Sequence, residues 1–173
     1  MNEVYLPMLT RVDSGVIVWQ PPENLNATGG GGQNMRNLVS DPGFEEGAAH
    51  WTMTAGDSYV YEVDPNGANI RPHGGKKMLY SAASSELFEV HAGRTLRVAV
   101  WYTNGAPGRL LRVAVAFDGG TPQNVIYLHP SDRATVWKRY ESTIEVPPNT
   151  TKAQLVISSE YGRFDDIEVI EVI

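Results

Sequence analysis

The chain has 173 residues, no cysteine and a formal charge of −6 from 14 basic and 20 acidic side chains. The missing cysteines exclude disulfide frameworks, thiolate metal sites and cysteine nucleophiles. The basic residues are scattered singly, which excludes a phosphate-tracking surface and hence nucleic acid as a partner. No apolar run approaches the ~20 residues of a helical membrane span, so no membrane is expected either.

The first 33 residues read as an extended arm. Met1-Asn2-Glu3-Val4-Tyr5 lacks the basic and apolar regions of a signal peptide. Two short apolar patches follow, one around Tyr5 and Leu6, the other covering Val16, Ile17 and Trp19. Each runs into proline (Pro7, then Pro21-Pro22), which blocks ladder pairing and keeps chain extended. Patches this small cannot form a core, so they pack either on the following domain or on another subunit. Gly29-Gly30-Gly31-Gly32 then supplies a joint. A phosphate loop would need a Lys-Ser/Thr pair after the glycines, and Gln33-Asn34-Met35 stands there instead.

Residues 34–173 read as strand after strand. Tyr59 to Val63 and Leu87 to Val90 are short candidates; Arg94 to Thr103 and Leu110 to Asp118 are long ones. Val125 to Leu128, Val136 to Val146, Ala153 to Ser158 and Asp165 to Ile173 complete the set, with turn residues between them, including Glu160-Tyr161-Gly162. No segment keeps a helical period. The fold class is all-β: a two-sheet antiparallel β-sandwich of jelly-roll type behind an extended N-terminal arm. Alternation places Leu96, Val98, Val100, Leu111, Val113, Val115 and Phe117 on the core face. Trp101 falls on the opposite face, and would stand among alanines if the two long strands pair.

Five stretches in order resemble the carbohydrate-binding-module jelly rolls. They are Asn37-Leu38-Val39-Ser40-Asp41-Pro42-Gly43-Phe44-Glu45-Glu46-Gly47 with Trp51; His73-Gly74-Gly75-Lys76-Lys77-Met78-Leu79; Val90-His91-Ala92-Gly93-Arg94 through Trp101; Trp137 to Pro147; and Phe164-Asp165-Asp166-Ile167-Glu168-Val169. The resemblance implies that Trp51 and Trp137 pack in the core. It also implies a structural calcium held by Glu45 and Asp165, with Lys76 or its neighbours completing an oxygen shell. The competing reading is that the two acids only cap turns. It further implies aromatic stacking on sugar rings, for which Trp101, Tyr59, Tyr61, Tyr80 and Tyr127 are the candidates.

No enzyme is expected. Glu45-Glu46 and Asp165-Asp166 are the candidate paired acids for glycosidic chemistry, but the resemblance makes these positions structural; the histidines sit in separate turns, and no serine has a nucleophile motif. The arm, joint and single adhesive domain lead to a first functional expectation. The chain is a virion structural protein, assembled in the host cytoplasm. It would be a phage head decoration (cement) protein whose Tyr5, Leu6, Val16, Ile17 and Trp19 dock on capsid or other virion subunits in a homo-oligomeric array. The second expectation is a module that binds a glycan through Trp101 and the tyrosines.

Overall fold

A computed structural model describes residues 36–62, 70–104, 108–130 and 136–172. The arm anchors Tyr5, Leu6, Val16, Ile17 and Trp19 lie outside the described residues. Nine strands follow in chain order: β1 (Trp51–Met53), β2 (Tyr59–Tyr61), β3 (Met78–Ser85), β4 (Phe88–Glu89), β5 (Thr95–Asn104), β6 (Leu111–Phe117), β7 (Gln123–Leu128), β8 (Lys138–Glu145) and β9 (Lys152–Val172). Every pairing is antiparallel, and there is no helix among the described residues.

The strands form two layers that share β3 and β9. One, the front layer, runs β8-β5-β9-β3-β2, using the end of β9 and the start of β3. The other, the back layer, runs β7-β6-β9-β3-β1, using the start of β9 and the end of β3. The ladder is continuous because both shared strands bend at the same level. The register shifts between Tyr80 and Ala82, and Ser81 and Tyr161 hold φ values of 74° and 65°. Such a bulge re-aims the strand without ending it. The expected turn at Glu160-Tyr161-Gly162 is therefore a bend inside one 21-residue strand, not a break between two.

The core lies between the layers. Leu96, Val98, Val100 and Tyr102 of β5 meet Leu111, Val113, Val115 and Phe117 of β6, with Leu155, Ile157, Phe164, Ile167 and Val169 of β9. The alternation reading of β5 and β6 holds throughout. The two strands do not pair with each other, however; each pairs with β9, in opposite layers. Trp101 therefore does not stand among the alanines of β6. A second register shift in β9, with Asp166 at a φ of 44°, lets Phe164 and Ile167 both point inward.

The opening and closing motifs are sewn together. Leu38 N donates to Val169 O, Asn37 Nδ2 to Ile167 O, and Val169 N to Asn37 Oδ1. Asp41 caps the intervening turn by accepting from Glu45 N and Glu46 N. Trp51 is core, as expected: its ring lies 4.9 Å from that of Phe44, and its Nε1 donates to Asp41 O.

Candidate functional site

Strand pairing determines which side chains share the outer face of the front layer. Tyr59 of β2 is opposite Tyr80 of β3, which is opposite Arg163 of β9, which is opposite Thr103 of β5. Trp101, two residues down β5, is flanked by Asp165 on β9 and Arg139 on β8. Ala99 is flanked by Glu168 and Glu141.

The tyrosines form one cluster. Tyr59 lies 5.3 Å from Tyr61 and 5.2 Å from Tyr80, centroid to centroid. The Arg163 guanidinium sits 5.4 Å from the Tyr80 centroid, and its Nε donates to the Tyr61 hydroxyl. Tyr80 is buried, whereas Tyr59 and Tyr61 are half-exposed. Burial pushes the Tyr80 hydroxyl pKa up.

A second cluster surrounds Trp101. The segment from Arg71 to Lys77 folds over this part of the sheet, and His73 stacks on the indole at 3.7 Å and 18°. The imidazole is fixed from its other edge by Asp166, with Nδ1 2.6 Å from Oδ2. Trp137 stands edge-on to His73 at 6.0 Å, and its Nε1 donates to Arg71 O. Trp137 is thus half-exposed on the outer face and not in the core. It shares the parity of Arg139, two residues on, so its ring lies on the outer face toward the 71–73 segment.

Beside Trp101 lies a chain of ion pairs. Arg97 Nη2 contacts Glu168 Oε1 at 3.0 Å, Arg139 Nη2 contacts the same oxygen at 3.3 Å, and Arg139 Nη1 contacts Glu141 Oε2 at 2.6 Å. All four side chains are partly exposed. Each holds the next, which orders donors and acceptors ahead of any ligand. Tyr127 does not belong here: it is on β7 of the back layer, 57% exposed, with its ring edge-on to His129.

Glu45 and Asp165 both turn toward the 73–77 segment. Glu45 Oε1 accepts from Lys76 N and Lys77 N, and these two backbone donors hold its pKa below the usual value. Asp165 is fully buried; Oδ2 accepts from His73 N and Gly74 N, and Oδ1 from Asp166 N. Burial outweighs these donors and lifts its pKa to about 7. A Cβ added at Gly43 would lie 3.7 Å from Asp165 Oδ1, 3.6 Å from Asp166 Oδ1 and 3.9 Å from Glu45 Cγ, so the three acids surround one small residue. These hard oxygens fit a calcium ion in kind. No group of three His, Cys, Asp or Glu side chains is arranged around one point among the described residues, so most of a shell would be backbone carbonyls.

Sequence reading missed two parts of this face. Arg97, Arg139, Glu141 and Glu168 could have been found from the alternation of β5 and β8 once those strands were paired. His73 could not, because its partner Trp101 is remote in the chain.

No protein-family model matches the chain, and no curated protein matches its sequence. Solved structures match its shape. A family 61 carbohydrate-binding module in complex with beta-1,4-galactotriose is 22% identical, covers 79% of this chain and 99% of its own, and has a TM-score of 0.56. A family 16 carbohydrate-binding module is 16% identical over 78% of this chain and 100% of its own, at 0.57. Tailspike protein 4 of bacteriophage CBA120 is 15% identical over 79% of this chain but only 21% of its own, at 0.53. Likenesses at these identities show the fold: a carbohydrate-binding-module-like jelly roll.

Proposed function

We propose that this chain is a non-catalytic glycan-binding protein whose site is the outer face of the front layer around Trp101. The supporting observation is the placement of a partly exposed tryptophan, with one face stacked on His73, beside the ordered Arg97–Glu168–Arg139–Glu141 chain. Sugar rings present an apolar C–H face and a rim of hydroxyls. An indole matches the first, and fixed carboxylates and guanidinium groups match the second. Tyr59 and Tyr61 extend the same face. The structural neighbours support this class of ligand, since the family 61 module is described with beta-1,4-galactotriose.

The test is affinity electrophoresis of the full chain through soluble β-1,4-galactan, xylan and other neutral polysaccharides. At least one should retard it. Trp101→Ala should cut that retardation at least tenfold, a loss of ~1.4 kcal/mol, with the fold unchanged. A calcium held by Glu45 and Asp165 belongs to the same proposal, as an ion that seats the 73–77 segment, and with it His73, over Trp101.

Attachment to capsid or other virion subunits through the arm rests on residues outside the described ones, and the neighbours give it less support than they give glycan binding. The two are compatible, because a tailspike chain contains a domain of this shape.

A further inference from the structure

We propose that a recess where β3 and β9 pass between the layers is a second sugar site, separate from Trp101, that takes one neutral pyranose ring. The proposal relies on the glycan-binding reading only for the class of ligand. The recess has a volume of about 360 Å³ and is lined by Asp57, Ser81, Arg109, Ser159, Glu160 and Tyr161. That is near the lower end of small-ligand pockets, ~300–1,000 Å³, which suits one ring better than a chain.

Its parts are held in place. Tyr161 is 53% exposed and has the Arg109 guanidinium 5.2 Å from its ring centroid. Arg109 Nη1 is fixed by Glu160 Oε2 at 2.9 Å. Ser81 is buried, and its Oγ donates to Asp57 Oδ1 and toward Ser159 O. Ser159 Oγ is in turn bonded to the buried Tyr102 hydroxyl. An aromatic ring backed by a cation, two acidic acceptors and a guanidinium donor are the groups that bind a pyranose face and its hydroxyls.

The backbone at the recess is the bend that carries both strands from one layer to the other. Ser81 and Tyr161 both hold left-handed φ values, 74° and 65°, on adjacent strands at this one place. Non-glycine residues sit there only when their surroundings over-determine them, and here the bend of both paired strands does so. A glycine at 161 would suit the backbone better, so the tyrosine side chain is the part that the conformation by itself does not require. Two carboxylates against one guanidinium leave the recess net negative, which discriminates against uronic acids and sulfated sugars.

The experiment is amide NMR on the ¹⁵N-labelled full chain. The probes are β-1,4-galactotriose, xylohexaose, cellotriose, laminaritriose and maltotriose, each titrated into wild type, Trp101→Ala and Tyr161→Gly. At least one sugar should shift the amides of Asp57, Ser81, Arg109, Glu160 and Tyr161 equally in wild type and Trp101→Ala. Tyr161→Gly, which removes the ring while relieving the backbone, should weaken that response at least tenfold and leave shifts around Trp101 intact. Arg109→Ala should weaken it as well. Shifts confined to the Trp101 face would overturn the second site and leave the first standing. Recess shifts without Trp101 shifts would do the reverse. No shift with any probe would overturn both.

Discussion

Asp165 illustrates how far single residues could be read. Its place in the closing Phe-Asp-Asp motif marked it as a metal candidate, but its environment was not legible: only the fold shows a fully buried carboxylate bonded to two amides of the 73–77 segment. Burial raises its pKa from 3.8 to about 7. The folded chain therefore holds a proton that the unfolded chain has released in that interval. The stability this contributes is present below about pH 4 and is lost as pH rises through about 7. In chelator, the melting temperature should fall between pH ~4 and ~7, and millimolar calcium should restore it at the upper end and above by binding the native state. A melt at about pH 8 that ignores both chelator and calcium removes the metal from the account. Gly75 tests the same segment: with a φ of 56° and a Cβ position that would collide with the Glu45 carboxylate, Gly75→Ala should unseat it and lower the melting temperature. Trp101, by contrast, was placed correctly by alternation alone; Trp137 was placed in the core by the family resemblance, whereas its parity with Arg139 puts it on the outer face.

At the scale of elements, β5 and β6 were legible because β-branched and small or charged residues alternate cleanly along them. The end of β3, Ser81-Ala82-Ala83-Ser84-Ser85, was not, since small residues carry no strand signal; tertiary pairing on both edges makes it a strand. β9 was expected as two strands because Glu160-Tyr161-Gly162 reads as a turn. In the fold, the same residues bend one strand across both layers. Gly162 is needed there: a Cβ would strike the Ser159 side chain and the Tyr102 ring, so Gly162→Ala should destabilise by ~1–3 kcal/mol. In the core between the layers, Phe117→Ala should cost about 3 kcal/mol, toward the lower end for such truncations because the ring keeps 8% of its exposure. Denaturant midpoints measure both changes, and a Gly162→Ala midpoint equal to wild type would show that the bend is looser than drawn.

For the whole molecule, the all-β class and the order of the motifs were legible, because turn residues and alternation are local signals. The pairing that separates β5 from β6 was not, because β9 reaches both from the far end of the chain. That pairing shapes the proposed site: it places Arg139, Glu141 and Glu168 beside Trp101 and moves Tyr127 to the other layer. The central claim is that this front face binds a neutral glycan through Trp101. Isothermal titration of wild type and Trp101→Ala with the oligosaccharide of whichever polysaccharide retards the chain most tests it directly. The account predicts measurable binding to wild type, a Trp101-dependent component at least tenfold weaker in the variant, and a variant that still folds cooperatively. Equal affinities in the two proteins, or no heat from either, would contradict it.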